Sequence, residues 1–396
     1  MASRQLSRQQ LTVLILGLMA TGIGQSLVFA LLAPLGREVN LSEVQITSLI
    51  AMSSLSFALT APRWGRLSDR VGRKPIIITG LVGYTFGTLL FASVFYAGLL
   101  GMVSGVALYM LLAVTRCSQA AIMSATNPAT SAYAADNSSP DQRTRTMARI
   151  GTANSMGTIL GPAVTGALAA LGLLAPLYFA AALAALSALL IWQRLPLTDA
   201  KDRVERPPVA RLRYTDPRLS LFLATAVGLF VGFAGIQQTL GFALQDKMGL
   251  TGVQTAQLTG AAMMVSAAFT LLVQVTVMQR FNVKPTVFIR IGLLSLIAGA
   301  AVISLFETFS VLAIGMAFMG TGMALCMPAI SAGASLAVTP AEQGGAAGLV
   351  SSCPPLGFAV GPICAGALYQ VDGALAPLFS ASVFFLVLIM VVIRDR

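Results

Sequence analysis

The sequence predicts an all-α integral membrane protein of twelve transmembrane helices in two six-helix pseudo-repeats. Three observations lead there. The chain has 396 residues, 56% hydrophobic and only 10% charged, where a soluble domain carries about 25% charge. The apolar residues fall into about twelve runs, each near the ~20 residues needed to cross a bilayer as a helix. The second half also repeats the first: Gly157-Thr-Ile-Leu-Gly161-Pro162-Ala-Val-Thr-Gly166-Ala-Leu168 returns as Gly357-Phe-Ala-Val-Gly361-Pro362-Ile-Cys-Ala-Gly366-Ala-Leu368.

In order, the predicted spans of the first half are 11–35, 44–62, 76–97, 99–127, 147–170 and 174–193. Those of the second half are 219–244, 253–278, 286–305, 308–334, 345–369 and 376–393. The first span follows Arg4 and Arg8, as a secretory signal would, but its apolar run reaches about Leu35 without a convincing cleavage site, so it reads as an uncleaved helix. Segment 194–218 holds Pro196, Pro207, Pro208 and Pro217 among mixed charges and reads as a linker. It divides an N-terminal six-helix bundle, 1–193, from a C-terminal one, 219–396. Two further matches support the repeat. Gln25-Ser-Leu-Val-Phe-Ala-Leu31 pairs with Gln238-Thr-Leu-Gly-Phe-Ala-Leu244, and Leu41-Ser-Glu-Val-Gln45 with Leu250-Thr-Gly-Val-Gln254. In the last pair Ser42 and Thr251 are expected helix caps, each with Gln three residues on.

Charge orients the spans. Of the 25 Lys and Arg, all but Arg37, Arg116 and Lys247 fall in the segments on one side. By the positive-inside rule that side is cytoplasmic, and an even number of spans puts both termini there. The net charge of +11 therefore reflects topology, and no nucleic-acid partner is expected. Cys117, Cys326, Cys353 and Cys364 stand singly in apolar runs and there is no His, so no metal, cofactor or disulfide is expected.

Between the second and third spans lies Gly65-Arg-Leu-Ser-Asp69-Arg70-Val-Gly72-Arg73-Lys74-Pro75. A charged stretch of this kind cannot lie in hydrocarbon and is placed at the water interface as a loop. Gly65, Asp69, Arg70, Gly72, Arg73 and Lys74 fill every fixed position of the pattern Gly-x-x-x-Asp-Arg-x-Gly-Arg-Lys. In this the sequence resembles the major facilitator superfamily of transporters, and the resemblance extends over nearly the whole chain. It implies a cavity between the two bundles. It also implies a cytoplasmic latch in which Asp69 and Arg73 meet Asp136 at the end of the fourth helix.

Two more motifs carry the resemblance. Arg116-Cys-Ser-Gln119-Ala120 is similar to the fourth-helix motif of proton-coupled members, with Ala120 where the family has Gly. Arg116 would then serve coupling. Independently, an Arg within a span must face a cavity or a partner, because insertion of an isolated charge costs at least ~2.5–3.5 kcal/mol. Gly157, Gly161, Pro162 and Gly166 resemble the fifth-helix motif of the exporters, the drug–proton antiporters. Physically these small residues permit close helix approach.

Candidate cavity residues are the repeat-related Gln25 and Gln238, with Gln119, Asn154, Gln237, Phe29, Phe242 and Met263. One feature departs from the exporter pattern: none of the 14 Asp and Glu stands mid-span. Arg116 in an otherwise neutral cavity favours a neutral, zwitterionic or anionic amphiphile. Intramembrane enzymes need paired acids, Ser with a base, or metal ligands in the bilayer, and none is visible. The resemblance implies a monomeric secondary transporter in the inner membrane. It would export a small-molecule substrate, drug-like or a metabolite such as a siderophore, in exchange for protons. A uniporter or proton-coupled importer with the same fold is the alternative.

Overall fold

The computed structural model describes residues 7–138, 140–196, 212–281, 283–339 and 342–394. Residues 197–211, most of the expected linker, lie outside them. The described residues form thirteen helices and no strand. They are α1 (Arg8–Glu38), α2 (Glu43–Val71), α3 (Arg73–Leu99), α4 (Gly105–Met123), α5 (Thr126–Asp136), α6 (Pro140–Ala169) and α7 (Ala175–Arg194), then α8 (Ser220–Met248), α9 (Gly252–Arg280), α10 (Pro285–Ser304), α11 (Phe309–Leu336), α12 (Gln343–Val371) and α13 (Leu375–Arg394).

Three differences from the sequence reading have physical causes. The expected charged loop 65–75 is almost entirely helical. α2 runs on to Val71, and only Gly72 separates it from α3. The apolar run ends near Pro62, but a helix already nucleated propagates at little cost into water. Gly72 has φ of 118°, which a side chain would resist, so the turn takes one residue. Second, the fourth span is two helices. α4 stops at Met123 and α5 restarts at Thr126, with Pro128 early in α5. Pro128 has no N–H to offer the carbonyl of Ser124, and its ring crowds that carbonyl. Trp64 Nε1 donates to Ala121 O just before this break, at 2.7 Å. Third, counting α4 and α5 as one crossing, 11 spans among the described residues are long and apolar enough on their own. α6 falls short because it carries Thr152, Asn154, Ser155, Thr158 and Thr165 along its length.

Helix starts follow local chemistry. Ser7 caps α1 in a capping box: Gln10 N–H donates to Ser7 Oγ at 3.2 Å and Ser7 N–H to Gln10 Oε1 at 3.0 Å. α2 and α9 begin directly after Ser42 and Thr251.

The chain forms two compact units. One is Met1–Ser42, Met52–Glu205 and Gly252–Gly260; the other is Glu43–Ala51, Arg206–Thr251 and Ala261–Arg396. In the first, α1 packs on α6 and α7, and α3 on α4 and α7. Its core includes Leu14, Leu18, Ile77, Leu81, Tyr133 and Ile191. In the second, α8 packs on α12 and α13, and α10 on α11 and α13. The repeat is visible in these pairings. Gly157 and Gly161 of α6 lie on Met19, Gly22 and Ile23 of α1, and Gly357 and Gly361 of α12 lie on Phe230 and Val231 of α8.

Candidate functional site

Four groups of residues singled out by the sequence lie in the first unit. The first surrounds Arg73, which opens α3 beside the Gly72 turn. Its guanidinium donates to Asp136 Oδ2 at 3.0 Å, to Ser68 Oγ at 2.6 Å and to Asp69 Oδ1 at 2.5 Å. Ser68 Oγ in turn donates to Gly65 O at 2.7 Å. Arg73 is buried while Asp69 is 58% exposed, so the cluster sits at the edge of the packed interior. Arg70 is exposed and takes no part. Lys74 does something sequence reasoning missed: Nζ donates to Trp192 O at 2.7 Å and Leu195 O at 2.5 Å. Those carbonyls close the C-terminus of α7, where a cation is favourable.

The second group surrounds Arg116, roughly 16 Å along the axis from the start of α4 at 1.5 Å per residue. Nη1 donates to Gln119 Oε1 at 2.6 Å. Gln119 Nε2 donates to Thr88 Oγ1 of α3 at 2.5 Å, and Thr88 Oγ1 to Tyr84 O at 2.7 Å. Phe91 places its ring centroid 5.8 Å from Arg116 Cζ. Arg116, Gln119, Thr88 and Phe91 are all buried. Arg116 Nε has no hydrogen-bond partner, and no described carboxylate pairs with the guanidinium. Tyr84 reaches from this group to α1, where its Oη occupies the space a Cβ at Gly24 would need. No sequence signal pointed to Tyr84, Thr88 or Gly24.

The third group is the α1–α6 seam. A side chain at Gly157 would meet Met19 O and Gly22, and one at Gly161 would overlap Ser26 Oγ. Pro162 lies inside α6 and is buried. Thr165 Oγ1 donates to Leu27 O across the seam at 3.3 Å. Gly166 lies against Gln257 of the short α9 segment in this unit.

The fourth is polar and only half-buried: Gln25 and Phe29 on α1 and Asn154 on α6, whose Oδ1 has no partner. In the second unit, Gln238 is buried with Nε2 unpartnered, and Gln237 is half-buried with Oε1 unpartnered. Met263 and Phe242 are buried, and the Phe242 ring lies 5.6 Å from Tyr369. These last two are closely packed.

The second unit has its own charged cluster. Arg218 donates to Asp216 Oδ2 at 2.9 Å and to Glu342 Oε1 and Oε2 at 3.0 Å. Thr339 N–H and Oγ1 complete Glu342, at 3.0 and 2.9 Å. The Arg218 hydrogen bonds, helped by those of Thr339, hold the Glu342 carboxyl down at about 2. Among the described residues no three His, Cys, Asp or Glu side chains converge in a way that would hold a metal.

The Major Facilitator Superfamily family model matches residues 14–306 and 276–396. Multidrug resistance protein 1 of Bacillus subtilis (strain 168) is 26% identical over 379 residues, covering 91% of this chain and 90% of its own. The class C tetracycline resistance protein of Escherichia coli is 33% identical over 180 residues, covering 43% of this chain and 40% of its own. The crystal structure of the human organic anion transporter MFSD10 (TETRAN) superposes with a TM-score of 0.66 at 23% identity, covering 97% of this chain and 99% of that one. It shares the fold. With the repeat, the helix pairings and the family match in place, the chain belongs to the Major Facilitator Superfamily and is a multi-pass membrane transporter.

Proposed function

We propose that the protein is a secondary active transporter that exports a small amphipathic compound across the inner membrane by alternating access, in exchange for protons. What carries export is the resemblance of Gly157, Gly161, Pro162 and Gly166 to the exporters' fifth-helix motif, with Gly157 and Gly161 at the α1–α6 seam. Residues of the exporter-type motif there admit two helix backbones to contact. The full-length similarity to a multidrug resistance protein supports the same reading. Both termini are assigned to the cytoplasmic face, on the distribution of Lys and Arg. We divide the chain into bundles 1–193 and 219–396 joined by a cytoplasmic linker, 194–218.

Within this reading Gly65, Asp69, Gly72, Arg73 and Asp136 form a cytoplasmic latch made and broken during the cycle. Arg70 supplies charge to that face and Lys74 anchors α7. Arg116 with Gln119 serves the coupled step. Gln25, Phe29, Asn154, Gln237 and Gln238 contribute polar and aromatic surface to the substrate path. Phe242 and Met263 support it from the packed interior.

The alternatives are a uniporter and a proton-coupled importer, and one observation favours the uniporter. Every Asp and Glu in a described helix stands in its first or last turn, so no mid-span carboxylate is available to carry a proton. Uptake of a radiolabelled amphiphile into inverted vesicles, with and without a pH gradient, separates the readings. Antiport predicts uptake that stops when the gradient collapses. Uptake indifferent to the gradient removes proton exchange, and uptake only into right-side-out vesicles removes export.

A further inference from the structure

Arg116 is 6% exposed and sits well inside a membrane span. Its one hydrogen bond from Nη1 goes to a neutral amide, Gln119 Oε1. That amide is fixed in turn, because its Nε2 is engaged by Thr88 Oγ1 at 2.5 Å. The bond chain therefore orients the guanidinium without cancelling its charge. Nε is buried and unbonded, and no ion pair to Arg116 exists among the described residues. Glu38, Glu43, Asp69, Asp136 and Asp246 stand at helix ends, and Asp216, Glu307, Glu342 and Asp372 lie outside helices. A buried charge is tolerated when something pairs with it. Here the fold supplies a bonded, oriented cation and withholds the anion. The remaining N–H groups of a guanidinium form a planar fork suited to a carboxylate or similar oxyanion.

We propose that the missing counter-ion is the substrate's own. Arg116 binds the acidic head of the transported compound, so the substrate class is an amphiphilic organic acid, its apolar body carried by the surrounding aromatic and aliphatic surface. This deepens the exporter reading and rests on it. Gln119 is then a positioning residue: it aims the guanidinium and leaves its charge free. A cationic amphiphile meets Arg116 as a like charge and is rejected.

The test uses purified full-length protein in proteoliposomes and one naphthalene scaffold in three forms: carboxylate, methyl ester and primary amine. The carboxylate should be transported with an apparent affinity at least about tenfold above the ester, the scale of one charge-assisted hydrogen bond, and the amine not at all. Gln119→Glu places a carboxylate where Nη1 already bonds. It should lower the affinity for the carboxylate probe by about tenfold or more relative to the ester, so that the preference for the acid is lost. Arg116→Lys keeps the charge and should keep the preference for the acid, a control if Gln119→Glu fails to elute as folded protein. Equal transport of carboxylate and ester, transport of the amine, or an equal loss of all probes in Gln119→Glu overturns the inference. If the wild-type protein moves none of the three, the acid-substrate inference fails, while the export reading is decided separately by vesicle orientation.

Discussion

Arg73 and Arg116 are buried to the same degree, 5% and 6% exposed, yet their surroundings are opposite. Arg73 stands at the water-facing end of α3 and has two carboxylates and a hydroxyl within hydrogen-bond distance. Arg116 stands within the span and has one neutral amide. A guanidinium whose partners are all intramolecular can be made and broken only by moving the elements that carry them, as a latch requires. A guanidinium without a counter-ion responds instead to what enters from outside. On the functions proposed above, the two sites divide conformational control from recognition, and the substitutions below test that division.

The largest effect belongs to Arg116→Ala. Removing the uncompensated charge should lower apparent substrate affinity by about 10- to 100-fold, the range of one or two hydrogen bonds to a charged group. The variant should still insert and elute as a monodisperse protein; normal transport would make Arg116 a packing residue. Arg73→Ala should act in the other direction, on stability and turnover rather than affinity. It strands Asp69 and Asp136, and since both are partly exposed the loss is about 1–3 kcal/mol, read as a lower melting temperature in detergent. Asp69→Asn should slow turnover with insertion intact, and unchanged turnover would count against the latch.

Gly161→Ala tests whether the α1–α6 seam tolerates any separation. A methyl there overlaps Ser26 Oγ, so a loss of about 1–3 kcal/mol by overpacking is expected, measured as melting temperature together with transport rate. The smallest effect is at Glu342. Its carboxyl is held near 2 in the folded protein against an ordinary value of 4.5. The stabilisation is therefore fully present above pH 4.5 and is lost as pH falls toward 2. Glu342→Gln should lower the melting temperature slightly at neutral pH and have a diminishing effect as the buffer is taken down through that window.

Much of this architecture is legible in the sequence, because the bilayer constrains composition so strongly. Run length marks the spans, and the repeat of Gly157-to-Leu168 in 357–368 marks the two halves. Gly157 and Gly161 announce a close helix contact by their size alone. Other features have no local signal. The bonds from Lys74 to Trp192 O and Leu195 O join residues more than a hundred positions apart. The fit of Tyr84 against Gly24 depends on how α1 and α3 pack, which no period reveals. The charged stretch after Pro62 reads as a loop because it cannot lie in lipid. Yet a helix can leave the membrane and continue, and here only Gly72 breaks it. Phe242 likewise packs its ring on Tyr369, a neighbour to which the repeat does not point.

Acid recognition at Arg116 is tested by the distance between its guanidinium and the carboxylate carbon of a transported acid. It is measured as a nitrogen–carbon dipolar coupling by solid-state NMR on arginine-labelled protein in lipid, with Arg116→Gln as the control. A contact of about 4 Å or less, in keeping with a charge-assisted hydrogen bond, is expected and should disappear in the variant. A compound that is transported while showing no such contact would contradict that recognition.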